Sequence, residues 1–551
     1  MTISSSAIPV PLLREGTKES KDREAFRSNL SAAKLIAEIV RSALGPRAMD
    51  KMLVDSLGYV TITNDGVTIL KEIDIEHPAG KMMVEIAKTT DNAVGDGTKS
   101  AVLLAGTLIE MAEELIKMGI HPTIVVDGFR KASVRSIEIL NNVAEKISVD
   151  DKNVLIRIAN TSIQSKLVSE YSTYLSELVV DATLRVAEKM GENFRIDIDS
   201  VKVQKSEGGS ISDTKLIRGI VLDNEVVHVL MPKRVEDAMI ALLNVPLQLD
   251  RRSDRRIEFK AKINIETPDK MKMFLDEENR MLKAIVEKVV QAGANVVICQ
   301  KGIDDMIQYY LAKAGILAVK RVKDPEMIKL SKATGGSILT DIRDLTGRDL
   351  GRAGLVEERK VGNKKWFFVE EYKNTKSLTV MVRGGSQGVI EEVERSIHDA
   401  LMVLKDVIEK PAIVAGGGAA EACVARKLRE WAKKISGREQ LVVQKFAQAL
   451  IIIPLTLAVN AGMDPIDTLT GLKAKQKPGC KWIGIDVRGR KIADMMKKGI
   501  IEPFLVKEQI IKSATEVTCM LLRIDDIIAK PKQKEQPRKL KGIDIDTRVS
   551  K

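Results

Sequence analysis

The sequence runs to 551 residues with 44% hydrophobic and 30% charged residues and a net charge of +12, a length that suits about two to four domains. Aromatic residues are only 3%, so aliphatic side chains and methionine must fill the core. The positive charge is spread along the chain and forms no aromatic-studded groove for a nucleic-acid strand.

Cys299, Cys423, Cys480 and Cys519 stand far apart without a CxxC pair, which argues for buried free thiols in a reducing compartment and against a zinc or disulfide framework. Residues 1–26 lack the apolar core of a signal peptide, and no stretch reads as long enough for a membrane span. The expectation is a soluble, cytoplasmic protein that binds neither nucleic acid nor membrane.

In chain order, residues 1 to about 24 are polar and expected to be mobile. Ala25–Leu44 has helical spacing and is stopped by Gly45-Pro46. Val60–Thr63 reads as a strand entering an Asn64-Asp65-Gly66 turn. Gly95-Asp96-Gly97-Thr98 then opens an apolar run, Ala101–Met118, which reads as a buried helix. The start of such a helix offers free amides and partial positive charge to an anion such as phosphate. Gly95 and Gly97 permit close approach to the backbone, Asp96 supplies a hard oxygen for magnesium, and Thr98 and Ser100 supply hydroxyls. The same pattern also fits an ordinary capped helix. It is not a Walker A loop, because Thr98 and not glycine precedes Lys99-Ser100. A further helix is expected over His121–Ile147.

After Asp150 the pattern mixes a helix, Lys166–Lys189, with strands such as Val201–Val203. From about 215 to 366, short apolar strands (Ile220–Leu222, Ile240–Leu242, Ile263–Ile265, Asn295–Cys299, Ile316–Val319) alternate with helices, which is α/β patterning. Within this region Thr267-Pro268 opens a helix carrying Met271, Met273, Phe274, Leu275, Met281 and Leu282, after the basic run 251–256. Such a stripe suits either a core face or an adaptable contact surface. A strand at Ser377–Val382 leads through Arg383-Gly384-Gly385 to a helix over Glu391–Leu404. Gly416-Gly417-Gly418 precedes another over Ala419–Lys434. The basic tail from Lys530 is expected to be disordered.

Taken together, LGPRAMDKMLVD (44–55), TITNDGVTILKEIDIEHPAGKMMVEIAKT (61–89), VGDGT (94–98), RGG (383–385), VERSIHDAL (393–401), VAGGGAAEACVARKLREWA (414–432), NAGMDPIDTL (460–469) and GIDV (484–487) resemble the group II chaperonins, the family of the archaeal thermosome and the eukaryotic cytosolic chaperonin. The resemblance runs in order from about residue 8 to 530. It implies a multidomain α and α/β chain. A mostly helical equatorial domain comes from both chain ends (1–146 and 404–530), and a small α/β intermediate domain is likewise split (147–214 and 367–403). An α/β apical domain (215–366) carries a helical protrusion, or lid, at about 250–279. Residues 531–551 form the tail.

By the same resemblance the chain is an ATPase that folds unfolded client proteins inside stacked rings of identical or homologous subunits. It uses ATP and Mg²⁺. Asp96 holds the metal, and Gly97, Thr98, Lys99 and Ser100 meet the phosphates beside Gly45 and Pro46. Asp65 and Asp399 orient the attacking water, Lys166 senses the γ-phosphate, and Gly417, Asp486 and Glu502 line the nucleoside side. Met271, Met273, Phe274 and Leu275 serve the lid. Family members usually carry three threonines after Gly-Asp-Gly, where this chain has Thr98-Lys99-Ser100, and glycine where it has Ala48. Lys99 either pairs with phosphate or crowds it. The alternative is therefore a specialised subunit of a mixed ring with slow ATPase and a mainly structural role. A small-molecule kinase is disfavoured, because no acceptor-site motif accompanies the phosphate loop.

Overall fold

The computed structural model describes residues 18–529, except 21, 192, 249–267, 373–376, 478 and 480. The candidate strand 263–265, the basic run 251–256, Cys480 and the tail beyond 529 lie outside the described residues, as does most of the N-terminal segment.

The first helices follow their local signals. Helix α1 (Asp22–Arg41) ends ahead of Gly45, whose φ of 93° only glycine adopts freely. A hairpin, Lys51–Val54 with Val60–Thr63, leads into α2 (Gly66–Glu72). Asp65 is thus a helix cap and not part of an open turn: its Oδ2 accepts from the Thr68 N–H at 2.8 Å. Helix α3 (Pro78–Val94) starts with proline in its first turn and ends on Gly95 at φ 66°. Helix α4 (Thr98–Lys117) is buried almost all round, as its composition demands. Helix α5 (Pro122–Val143) stops short of 147 because Glu145-Lys146 leave as a strand that pairs with Ala412-Ile413.

The middle of the chain departs from the sequence expectation. The helix expected over 166–189 is α7 (Ser172–Val186), shorter at both ends, and before it stands α6 (Lys152–Ile163), capped by Asp151, which the sequence pattern did not announce. Strand Val201–Glu207 pairs in parallel with Leu378–Gly384, which pairs on its other side with Lys215–Ile217. Beyond this lies a larger sheet. Its central strand, Arg234–Leu243, is parallel to Val296–Cys299 on one side and antiparallel to Gly351–Val361 on the other. Leu317–Val319 and Gly219–Leu222 stand at its two ends. Helices α8 (Pro268–Gln291), α9 (Asp305–Lys313) and α10 (Asp324–Thr334) cover it. Helix α8 divides along its length. Met271, Met273 and Leu275 are exposed, whereas Leu282, Val286 and Val289 are core. The core reading of that stripe holds for Leu282 and the core residues after it, and the first turns of the helix are exposed.

The chain then returns. Helix α11 (Gln387–Glu409) packs on α6 and α7, and strand Ala412–Ala415 leads to α12 (Ala419–Ala432). Helices α13 (Arg438–Ala449), α14 (Ile452–Asn460), α15 (Pro465–Lys475) and α16 (Phe504–Leu521) complete it. By length and composition 438–460 does reach a membrane span, contrary to the sequence expectation. In the structure it is two helices, about 67% buried, with Val442, Val443 and Phe446 inside the protein.

Among the described residues the apolar side chains gather chiefly in three regions, with two smaller clusters beside them. Leu104, Leu108 and Phe129 from the early helices pack with Phe446, Phe504 and Ile510 from the late ones in the first. The Phe129 and Phe446 rings meet edge to face at 5.6 Å. Helices α6, α7 and α11 hold the second, and the two faces of the large sheet hold the third. Cys299, Cys423 and Cys519 are buried and free, as expected.

Candidate active site

The loop between α3 and α4 is shaped by its contacts. A Cβ at Gly95 would stand 2.3 Å from Cβ of Met402 and 3.7 Å from Cα of Asp399, both on α11. One at Gly97 (φ 79°) would stand 2.7 Å from Cδ1 of Ile510 on α16. Only glycine allows the loop to sit this tightly between the two helices. Asp96 Oδ1 accepts from the Gly97 N–H at 2.6 Å. Gly66 plays the same part at the start of α2, where a Cβ would stand 2.8 Å from Oγ1 of Thr98 and 2.7 Å from Cγ of Lys99. That contact sets Asp65 beside the start of α4.

A cleft opens in front of this loop, concave and lined by both polar and apolar groups, as small-molecule sites are. Asp96, Gly97, Lys99 and Ser100 form its floor and Gly45 and Pro46 one wall. Gly417, Gly418, Ile485 and Met495 form the opposite wall, and Glu502 and Lys507 close the back. Asn460 pins the Gly45 side by donating to the carbonyls of Leu44 (2.8 Å) and Arg41 (3.0 Å). Gly417 (φ 61°) is fixed by its carbonyl, which accepts from Ile485 N–H at 2.9 Å, and a Cβ there would stand 2.8 Å from the Ile485 oxygen.

Charge is concentrated around Asp96. Lys166, in the turn after α6, is ion-paired with Asp399 of α11, and both side chains are nearly buried. Burial works against the charge on Lys166, but the carboxylates of Asp399 and Asp65 outweigh it and keep the ammonium protonated. Asp399 is pushed up to about 8 by burial, offset in part by Lys166 and reinforced by Asp65 and Asp96. Asp65 moves the other way. Burial raises it, but Lys166, the Thr68 hydrogen bonds and Lys99 together hold it below the usual carboxylate range. Two neighbouring carboxyls are thus driven apart, as acid–base sites require. Lys99 donates to Asn64 Oδ1 at 2.7 Å and to the Asn64 carbonyl at 3.0 Å, so its ammonium is bound on the protein side. Burial lowers its pKa against the pull of Asp65 and Asp96.

Of the sequence candidates, Gly45, Pro46, Asp96, Gly97, Lys99, Ser100, Gly417 and Glu502 line one cleft. Asp65, Asp399 and Lys166 cluster beside Asp96, and Thr98 is buried against Gly66. Asp486 does not line this cleft. It accepts from the Gly489 N–H at 2.9 Å, pairs with Lys498 at 3.2 Å, and faces an adjoining cleft. Met271, Met273 and Leu275 belong to α8 and are not among the residues that line the cleft. Phe274 lies in the same helix.

Sequence reasoning missed Lys507. It is buried, pairs with Glu502 at 2.6 Å and Glu421 at 2.8 Å, and thereby fixes the carboxylate at the back of the cleft. It also missed Thr161 and Gln164, which reach the cleft from α6 and the turn after it. A lysine five residues after Glu502, just inside a helix that opens with proline, was the only local signal.

Comparison with known proteins agrees with this architecture. Residues 36–532 match the TCP-1/cpn60 chaperonin family. Thermosome subunit alpha of Archaeoglobus fulgidus is 53% identical over 522 residues, covering 95% of each chain. Thermosome subunit beta of the same organism is 54% identical over 521 residues, again covering 95% of each. A thermosome subunit of Pyrococcus abyssi is 52% identical over 534 residues, 97% of this chain and 96% of its own. Both the family match and these identities extend over nearly the whole chain, and the chain belongs to the TCP-1/cpn60 chaperonin family.

Proposed function

We propose that this chain is an ATP-hydrolysing subunit of a double-ring chaperonin that encloses and folds unfolded proteins in the cytoplasm. The observation that carries this reading is the convergence of four distant segments, around residues 45, 96, 417 and 502, on one glycine-lined cleft, with Asp399 brought beside Asp96 by a fifth. The helical unit that holds the cleft is read as equatorial, the unit of α6, α7 and α11 as intermediate, and the large sheet as apical. Strand 215–217 sits in the intermediate sheet, so the apical boundary is drawn after it.

The residues present fit a magnesium nucleotide. Asp96 offers an oxygen ligand at the mouth of α4, and the ion, when bound, neutralises phosphate charge. The amides of Gly97 to Ser100 donate to phosphate oxygens. Asp65 and Asp399 hold and orient the attacking water, and Lys166 holds Asp399. Gly417 and Glu502 border the nucleoside. Met271, Met273, Phe274 and Leu275 offer an apolar face to clients or neighbouring subunits; most of the protrusion lies outside the described residues.

The purified chain should show rings by negative-stain imaging and Mg²⁺-dependent phosphate release, with refolding of a denatured client that needs ATP. Rings without phosphate release would leave the slow-ATPase alternative. Neither rings nor release would remove the proposal.

The departure at Lys99 has its own test. Its cation sits beside Asp65 and Asp96 and, by Coulomb attraction, strengthens phosphate binding. Lys99→Thr should therefore raise the apparent KM for ATP by about 3- to 10-fold. An unchanged KM and rate would make the substitution neutral.

A further inference from the structure

The cleft that adjoins the nucleotide site, behind the strand Ile483–Asp486, holds five cations: Arg157 of α6, then Arg488, Lys491, Lys497 and Lys498. Asp486 is its one carboxylate among the described residues, and it pairs with Lys498 at 3.2 Å. Among the described residues, no carboxylate lies within ion-pair distance of Arg157, Arg488, Lys491 or Lys497. The cations come from two stretches over three hundred residues apart in sequence, so the fold itself holds like charges together against their repulsion. The same wall carries Asn160, whose buried Oδ1 has no hydrogen-bond partner. Turning that amide over would place an N–H donor at the same spot.

We propose that this cleft is a second anion site, distinct from the nucleotide cleft, that takes an oligophosphate chain. The chain comes either as inorganic oligophosphate or as the phosphates of a second nucleotide. The chemistry favours phosphate over other polyanions. The cations converge from several directions on a concave site, which matches a short ligand of high charge density. Among the described residues no aromatic side chain lines it, as stacking on a nucleic-acid base would require. Two arginines offer forked donors for phosphate oxygens, and the lysines add mobile point charges. Thr161, Gln164, Arg488 and Ile500 line both clefts, so a chain bound here lies against the back of the nucleotide cleft. The claim that it is a second site rests on reading the first as the nucleotide site.

The test is calorimetric titration of tripolyphosphate into the full chain saturated with ADP, at about 0.15 M salt, where loosely held ions are screened. We expect one additional binding event per chain, weakened at least tenfold in Lys491→Gln/Lys497→Gln, with ADP affinity unchanged. Both lysines are exposed and without carboxylate partners, so the variant keeps its fold. A parallel titration with ATP separates the two sources, the tighter ligand naming the occupant. No binding to the ADP-loaded chain overturns the proposal. So does binding that the double variant retains, or that sulfate of equal ionic strength displaces as well (an adventitious ion only). Tighter binding of a triglutamate peptide would make the occupant an acidic peptide and overturn it too. If ADP itself fails to bind, the neighbouring nucleotide reading is lost, while the double variant still reads this cleft with tripolyphosphate alone.

Discussion

Asp399→Ala should slow ATP turnover by about 10²- to 10⁴-fold, the span for loss of a group that positions or activates a nucleophile, while ATP still binds. The expectation follows from where Asp399 is attached. Its helix, α11, contributes Val393, Ile397, Ala400 and Leu404 to the second apolar region, whereas the Gly95–Thr98 loop belongs to the first. Asp399 touches that loop only because Gly95 lets α11 approach, and its carboxyl is steered by Lys166. The phosphate-binding surface stands without it, so binding and chemistry should separate. Phosphate release and equilibrium nucleotide binding, measured on the same preparation, provide the check. Asp399→Asn, which keeps the shape, should be nearly as slow. Turnover within about threefold of the parent chain, well short of the catalytic span, would remove Asp399 from the chemistry. Gly95→Ala offers a second route to the same end, since the added methyl would push α11 away from the loop.

Lys507→Met should destabilise the folded chain by about 3–5 kcal/mol, the usual cost of stranding buried charges when one partner is removed. Lys507 is 6% exposed and Glu421 is 4% exposed, so water cannot substitute for the lost ammonium. Both carboxylates would then face each other across the site. Burial and Glu421 already raise Glu502, with Lys507 as the main opposing influence. Stability is best read by chemical denaturation followed at the first apolar region, because a chain of several units need not unfold in one step. Glu421→Gln combined with Lys507→Met should recover part of the loss, since one stranded charge is gone. A cost below about 1 kcal/mol for the single change, typical of an exposed pair, would show that the triad contributes little.

Legibility in the sequence followed the reach of the determinants. Helix α4 and the end of α1 were readable because glycine and proline act locally on φ, and four strands of the large sheet were readable as short apolar runs between turn signals, whereas Gly351–Val361 and Lys364–Glu370, rich in charge, were not. Helix α6 was not. Its sequence, KNVLIRIANTSI, is rich in β-branched residues and asparagine, which have little helix preference, and packing on α7 and α11 decides its state. Asp65 was read as part of a turn because caps and turns draw on the same residues. The floor of the cleft could be named from one contiguous motif. Lys507 at its back could not, because it finds Glu421 only after α12 and α16 have met. The placement of Asp486 likewise depends on Lys498, whose side of the hairpin no local pattern fixes.

The first apolar region draws on residues near both chain termini, and this has a bearing on synthesis at the ribosome. Helices α1 to α5 emerge first, yet α4, buried on nearly all sides in the finished protein, receives Ile510 and Phe446 only from the last part of the chain. At translation rates of about 5–20 residues per second, that wait lasts on the order of tens of seconds. Meanwhile the large sheet, built wholly from residues 219–370, can close on its own as soon as its last strand is out. The nascent chain therefore presents an unmet need for shielding along α4, and holdase factors that cover exposed apolar helices should associate with it until α16 has been made.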